Sequence, residues 1–268
     1  MASLVDTERQ MHIQTLPEEV GRYVILAGDP GRIPVIAEKL DQPKEISYNR
    51  EFNVYTGSLL GEKVTVCSTG IGGPSAAIAV EELIRCGADT FIRVGTSGGI
   101  RLDVMGGDLV IATAAVRAEG TSKEYLPECY PAAADYEVVN ALVQAAEGLC
   151  EDRDHHRYHV GVVQSKDSFY GEIEPEKSAA SQKLISEWES YVKCGCLTSE
   201  MECAAIFSVG LSKSGEKKIR CGGVLTALWN VERSAKGMED IITHDSTKAI
   251  ECAVEAMKII IAGYRDKK

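Results

Sequence analysis

Three short glycine-rich segments carry an arginine or a run of hydroxyls. They are Gly28-Asp29-Pro30-Gly31-Arg32, Ser68-Thr69-Gly70-Ile71-Gly72-Gly73-Pro74-Ser75 and Arg93-Val94-Gly95-Thr96-Ser97-Gly98-Gly99. Glycine lets the backbone approach a ligand closely or turn with positive φ, and the N–H groups exposed there suit an oxyanion. Arginine adds a fork of donors matched to phosphate. A fourth segment, Ser199-Glu200-Met201-Glu202-Cys203-Ala204-Ala205, places carboxylates at the start of an otherwise apolar helical pattern. Together the four segments predict a site for a phosphate and a polyol.

These segments need elements to hold them. Apolar runs predict strands at Tyr23–Ala27, Val64–Ser68, Thr90–Val94, Asp108–Ala115, Tyr158–Gln164 and Arg220–Leu228. Helical spacing predicts Ile33–Leu40, Pro74–Arg85, Glu137–Leu149, Ser178–Val192, Met201–Leu211 and Thr243–Tyr264. The alternation predicts an α/β fold with a central mixed sheet flanked by helices. Glu119–Ala134, Tyr170–Lys177 and Asn230–Ile242 read as irregular stretches, where sites and lids tend to be built. With no linker, repeat or low-complexity tract, residues 1–268 read as a single domain.

Forty acidic against 29 basic residues give a formal net charge of −11. That balance disfavours a general binder of nucleic acid or anionic membranes, while leaving room for arginines inside a cleft. No apolar run approaches the roughly 20 residues that cross a bilayer, and Met1–Arg9 lacks the core of a secretion signal. A soluble, cytoplasmic protein is the expectation. The nine cysteines then read as reduced, mostly buried thiols, and Cys194-Gly195-Cys196 is too tight for the usual redox or zinc pair. His155, His156 and His159 match no tetrahedral ligand spacing and read as solvated loop and strand edge.

Common motifs are excluded. The nearest approach to a P-loop, Gly210–Lys217, has Glu216 at the lysine position and leaves a helix instead of opening one. No Gly-x-Gly-x-x-Gly follows the first strand, and neither Gly-x-Ser-x-Gly nor His-Glu-x-x-His occurs. Taken singly, Arg32 reads as a surface arginine, His12 as a solvated residue and Phe169 as core. Arg93, inside an apolar strand pattern, either pairs with an acid or binds an anion. Glu202 needs a partner, which could be a sugar or a core arginine.

The segments Gly28–Arg32, Asn49-Arg50-Glu51-Phe52, Cys67–Ser75, Arg93–Gly99 and Ser199–Ala205 strongly resemble the nucleoside phosphorylases of the uridine phosphorylase type, and the resemblance runs from Met11-His12 to the last helix. It implies a partly barrel-like central sheet and a homohexamer built as a trimer of dimers, with active sites shared between subunits. The implied activity is phosphorolysis of uridine, and of deoxyuridine or thymidine, to uracil and a pentose 1-phosphate in nucleoside salvage. Inorganic phosphate would be the co-substrate, with no organic cofactor. The resemblance makes Gly28, Arg32, Arg93 and Thr96 phosphate ligands, joined by Arg50 of a neighbouring subunit. His12 from the neighbour, Thr96, Met201 and Glu202 would hold the ribose, and Ser97, Gly98, Phe169 and Glu172 would face the base. Arg93, Glu202 and Arg50 would carry the catalysis. In some relatives the positions of Glu51, Ile71 and Ser75 hold a monovalent cation such as K+.

One segment departs from that pattern. Uridine phosphorylases read uracil with a glutamine and an arginine after the Phe-Tyr pair, whereas Tyr170–Lys177 offers Glu172 or Ile173 and, as its only cation, Lys177. An ionised glutamate only accepts, and would repel the carbonyl oxygens of uracil. Purine phosphorylases of this fold use an aspartate after the late strand, where Asn230 is the nearest polar residue. A purine or broad-range phosphorylase therefore stays open, as does a nucleoside-binding homologue without turnover.

Overall fold

Tyr23–Ala27 is apolar and buried at every position, as expected of a strand covered on both faces. It forms β1, whose Val24 and Leu26 enter one core while Tyr23, Ile25 and Ala27 enter the other. The computed structural model describes residues 9–150, 157–215 and 217–265. After β1 come α1 (Arg32–Ala37), β2 (Asp41–Asn49), β3 (Phe52–Leu59), β4 (Glu62–Ser68), α2 (Gly73–Arg85) and β5 (Thr90–Gly99). The middle of the chain supplies β6 (Leu109–Ala118), α3 (Thr121–Tyr125), β7 (Ala132–Ala133), α4 (Tyr136–Leu149), β8 (Tyr158–Lys166) and α5 (Phe169–Ile173). Then follow α6 (Ser181–Lys193), β9 (Thr198–Glu200), α7 (Cys203–Lys213), β10 (Arg220–Asn230), α8 (Val231–Ala235) and α9 (Thr247–Arg265).

One sheet contains all the strands among the described residues, and part of it closes on itself. β5 pairs with β10, β10 with β6, β6 with β8, β8 with β9, and β9 returns to β5. The result is a five-stranded barrel, with β1, β4, β3 and β2 extending from β5 as an open wing. β1, β4, β5 and β10 run parallel, and β8 and β9 run against them. α2 and α7 fill one face, α7 being apolar all round and buried along Cys203–Gly210. α4 and α9 fill the other.

Several expectations need correction. The β2–β3 hairpin was not anticipated, because the polar, exposed Asp41–Asn49 shows little apolar alternation. The strand expected over Thr90–Val94 runs on to Gly99, straight through the third glycine segment. Glycine is required at 95 because a Cβ there would meet Leu225 Cδ2 at 2.6 Å and Arg93 Nη2 at 2.7 Å. Tyr170–Lys177 is not irregular, since α5 and a 3₁₀ turn at Pro175–Lys177 occupy it. Asn230–Ile242 likewise contains α8. His159 is not solvated: its Nε2 lies 2.9 Å from Asp108 Oδ2, with Arg101 Nη2 3.2 Å from its Nδ1. His155, His156 and Glu216 lie outside the described residues. Cys67, Cys86, Cys196, Cys203, Cys221 and Cys252 are buried free thiols, whereas Cys129 and Cys194 are exposed. Among the described residues no helix is long and apolar enough to cross a membrane.

The stretch from Glu119 to Ala134 is organised around one side chain. Arg117 donates to the carbonyls of Ser122, Leu126, Pro127 and Tyr130 at 2.6–2.8 Å. Replacing it strips a charged donor from several carbonyls at once, but these lie at or near the surface, so water replaces most of the lost bonding and the net cost is about that of one such bond. Arg117→Ala is expected to cost about 2 kcal/mol locally, speeding amide exchange across 120–131 about 30-fold while β5 and β10 stay protected. Native-state hydrogen exchange checks this.

Candidate active site

The parallel strands end at one cavity of about 620 Å³. Gly28, Asp29 and Arg32 come to it from the end of β1, and Gly70, Ile71 and Ser75 from the end of β4. β5 contributes Arg93 and Thr96–Gly98, and β10 contributes Leu228 and Trp229 at the point where its register with β5 shifts. That irregularity turns large apolar side chains toward the ligand space. From the opposing strands β8 and β9 come Lys166, Ser199 and Glu200, followed by Met201 and Glu202. Phe169, Glu172 and Ile173 of α5 complete the wall.

At the centre lies a buried cluster of one arginine and two glutamates. Arg93 donates from Nε to Glu200 Oε2 at 3.1 Å, and its Nη2 lies 2.5 Å from Glu202 Oε2. Glu200 is the last residue of β9 and also accepts from the backbone N–H groups of Glu202 and Cys203 at 2.8–3.0 Å, with Ser165 Oγ as a further donor. Those bonds satisfy donors left free at the start of α7, a job helped by Ser165 Oγ accepting from Ala204 N–H. The helix therefore begins at Cys203 and not, as expected, at Met201. Glu202 accepts from Gly72 N–H at 2.6 Å, which ties the second glycine segment to the cluster. Gly70 and Gly72 have φ of 65° and 92° and shape that turn.

Both glutamates meet Arg93, and neither lies inside a helix. Of the two readings of Arg93, the acid-paired one is realised, and the guanidinium also borders the cavity. Burial raises the Glu202 carboxyl above its ordinary range; Arg93 opposes this and Glu200 adds to it. Burial works to lower Arg93, but Glu202 and Glu200 prevail and raise it. Arg32 is lowered by burial against the pull of Asp29. Burial pushes the Cys203 thiol far above its usual value, so this neighbour of Glu202 is no thiolate nucleophile.

The remaining expected residues divide in two. Gly28, Thr96, Ser97, Gly98, Phe169, Glu172, Met201, Glu51, Ile71 and Ser75 all line the cavity. His12 and Arg50 do not. His12 is held at Glu82, whose carboxylate accepts from the backbone N–H groups of His12 and Ile13 and lies 2.7 Å from His12 Nδ1. Asn49 Nδ2 donates to the His12 carbonyl, and exposed Arg50, with φ of 54°, turns the chain from β2 into β3. Ser75 Oγ donates to Glu51 at 2.7 Å, which lowers the Glu51 carboxyl.

Two expectations about the base wall change. Lys177 is an exposed partner of Glu174, whereas Lys166, which no sequence feature singled out, is the cation at Glu172. Asn230 is consumed: its Nδ2 donates to the carbonyls of Arg101 and Val104, and its Oδ1 accepts from Arg233 N–H to cap α8.

Removing Arg93 would leave Glu200 and Glu202 buried without their cation. Arg93→Met is expected to lose about 3–5 kcal/mol near neutral pH. A carboxyl raised in the folded state confers stability that is complete below its unfolded value, about 4.3, and lost as pH rises through the folded value. Without Arg93 the Glu202 carboxyl rises further, so the deficit against wild type shrinks toward about pH 4 and is largest near pH 7. Urea melts across that range check it.

Residues 22–258 match the family model of the phosphorylase superfamily. The uridine phosphorylase of Treponema pallidum is 46% identical over 261 residues, spanning 97% of this chain and 98% of that protein. The uridine phosphorylase of Thermococcus kodakarensis is 53% identical over 202 residues, 75% of this chain and 71% of that protein. A guanosine phosphorylase of Halorubrum lacusprofundi is 40% identical over 223 residues, 83% and 84% of the two chains. With the match covering both the glycine segments and the Arg93 cluster, the chain belongs to the phosphorylase superfamily.

Proposed function

We propose that this chain is a pentosyltransferase that cleaves uridine with inorganic phosphate, giving uracil and ribose 1-phosphate for nucleoside salvage. The observation that carries this reading is the meeting, in one cavity, of Arg32, Arg93 and the glycine segments with Glu202 and an aromatic wall of Phe169 and Trp229. Phosphate held by Gly28, Arg32, Arg93 and Thr96 would sit beside the anomeric carbon. The glycosidic bond breaks through a sugar with oxocarbenium character. Glu202 places negative charge near that cation and accepts from the ribose hydroxyls, with Met201 packing on the ring. Phe169, Ser97 and Gly98 enclose the base.

The anion end supports a shared site. Arg32, Arg93 and Lys166 face five carboxylates along the cavity: Asp29, Glu51, Glu172, Glu200 and Glu202. A phosphate dianion in such a field needs further positive charge. In the proposed homohexamer Arg50 of a neighbour supplies it and His12 of that neighbour reaches the ribose. Glu51, Ser75 and the Ile71 carbonyl offer hard oxygen donors that fit a monovalent cation at the same junction. No step of the reaction is routed through such an ion.

A purine reading loses its nearest polar group, since Asn230 is occupied by structure. A silent nucleoside-binding homologue loses its motive, since Glu172 has a cation beside it.

Chromatography of uridine, thymidine, inosine, guanosine and adenosine, each with and without phosphate, tests the reading. Uracil released only with phosphate is expected; release without phosphate, or of hypoxanthine alone, overturns it. Glu202→Gln is expected to lower kcat about 10²–10³-fold. Coexpressed Arg50→Ala and Arg93→Ala chains, each inactive alone, are expected to regain activity in mixed oligomers. Mixed oligomers as inactive as their parents would refute the shared site.

A further inference from the structure

Glu172 looked unfit to read a uracil edge because a carboxylate only accepts. The structure supplies the missing donor. Lys166, the last residue of β8, is only 7% exposed, and its Nζ lies 2.7 Å from Glu172 Oε1 and 2.6 Å from Ser199 Oγ. The ammonium also sits 5.8 Å from the centroid of the Phe169 ring. The Glu172 side chain is 8% exposed and its Oε2 accepts from Ser199 Oγ at 2.7 Å. Ser199 has one hydroxyl hydrogen and a second neighbour in the Gln164 amide. That hydrogen faces two acceptors, Glu172 Oε2 and the Gln164 amide oxygen.

A buried ion pair is seldom more stabilising than an apolar pair of the same shape. Here Lys166, Glu172 and Ser199 all face the cavity beside Phe169 and Trp229. An ammonium has three N–H donors, and two are used. The third N–H, next to the free lone pairs of Glu172, makes a donor–acceptor edge. Uracil presents the complement, a carbonyl oxygen beside a ring N–H, and so do 6-oxopurines. Cytosine and adenine present the reverse, an amino donor beside a ring acceptor, and would meet donor with donor and acceptor with acceptor.

We infer that the Lys166–Glu172 pair reads the base, selecting nucleosides with a lactam edge, and that Lys166 stabilises the departing base as its negative charge develops. This rests on the phosphorolytic reading above. In that reaction a phosphate oxygen supplies the electron pair of the new C1′–O bond. The C1′–N1 pair leaves with the base, and the proton carried in by hydrogen phosphate ends on the base through water. A cation held against a base carbonyl lowers the cost of that departure.

The double variant Lys166→Met/Glu172→Met tests this, because an apolar pair of similar size keeps the wall packed and leaves no lone buried charge. Its melting temperature, taken first, establishes that it folds. In 5-fluorouridine the fluorine withdraws charge from the departing base, so that substrate needs the ammonium less. The expected result is a loss of about 10²–10³-fold in kcat/KM on uridine and a loss at least tenfold smaller on 5-fluorouridine. Wild type is expected to cleave cytidine and adenosine at least 10³-fold more slowly than its best lactam nucleoside, roughly the discrimination of a site whose polar groups are left unpaired. Equal losses on the two uridines, a variant within about threefold of wild type, or comparable wild-type cleavage of cytidine overturns the inference. If wild-type enzyme releases no base from any of these nucleosides with phosphate present, it is the phosphorolytic reading that fails.

Discussion

The site depends on the attachment of Arg93 to two buried carboxylates. The guanidinium leaves β5 from the middle of the sheet, and Glu200 and Glu202 reach it from the short strand β9 and the turn behind it. Through Glu200 the same contact fixes the start of α7, and through Glu202 it fixes the turn at Gly72 that opens α2. Two helices and two strands are thus referred to one cation. Ion pairs of this kind are expensive to desolvate, and their retention is better explained by geometry than by net stability.

Such a cluster also sets what Glu202 can do. One of its oxygens is taken by Arg93 and the other by Gly72 N–H. Each carboxylate oxygen keeps a second lone pair, so sugar hydroxyls can bind without breaking either bond. A glutamate fixed this way cannot swing away as charge develops on the sugar, which is the condition for electrostatic preorganisation. Glu200, saturated by backbone donors and Ser165, positions Arg93 and has no comparable capacity left.

Much of this was legible in the sequence, but unevenly. The strand–glycine–helix alternation gave β1, β4, α2 and α4 nearly to the residue, because buried parallel strands are continuous apolar runs. β2 escaped because it is a polar wing strand. The arginines show a deeper limit. Arg93 lies within an apolar strand and Arg220 opens one, and both are buried against acids. Arg220 sits at the start of β10, bonded to Asp89 and Thr90 and stacked 4.3 Å from the centroid of the Tyr264 ring. Only Arg93 borders the cavity. What separates them functionally is their position along the parallel strands, and that follows from the assembled sheet.

Lys166 was illegible for a related reason. It ends β8 whereas Glu172 lies in α5, so no single strand or helix period relates the two. The pair forms because Ser168 caps α5, its Oγ accepting from Gly171 N–H, and so folds the chain back over the end of β8. Read along the sequence, Glu172 is an acceptor with no donor; read in space, it is half of a neutral pair. That changes the electrostatics of the whole cavity. The Lys166 and Glu172 charges balance within that wall, so in the proposed reaction the base would meet local hydrogen-bond polarity and little net field. In the proposed reaction the glycine segments, Arg32 and Arg93 are then left to deal with the phosphate. Separating the two tasks allows one cavity to hold a dianion beside a base that leaves as an anion, without each opposing the other.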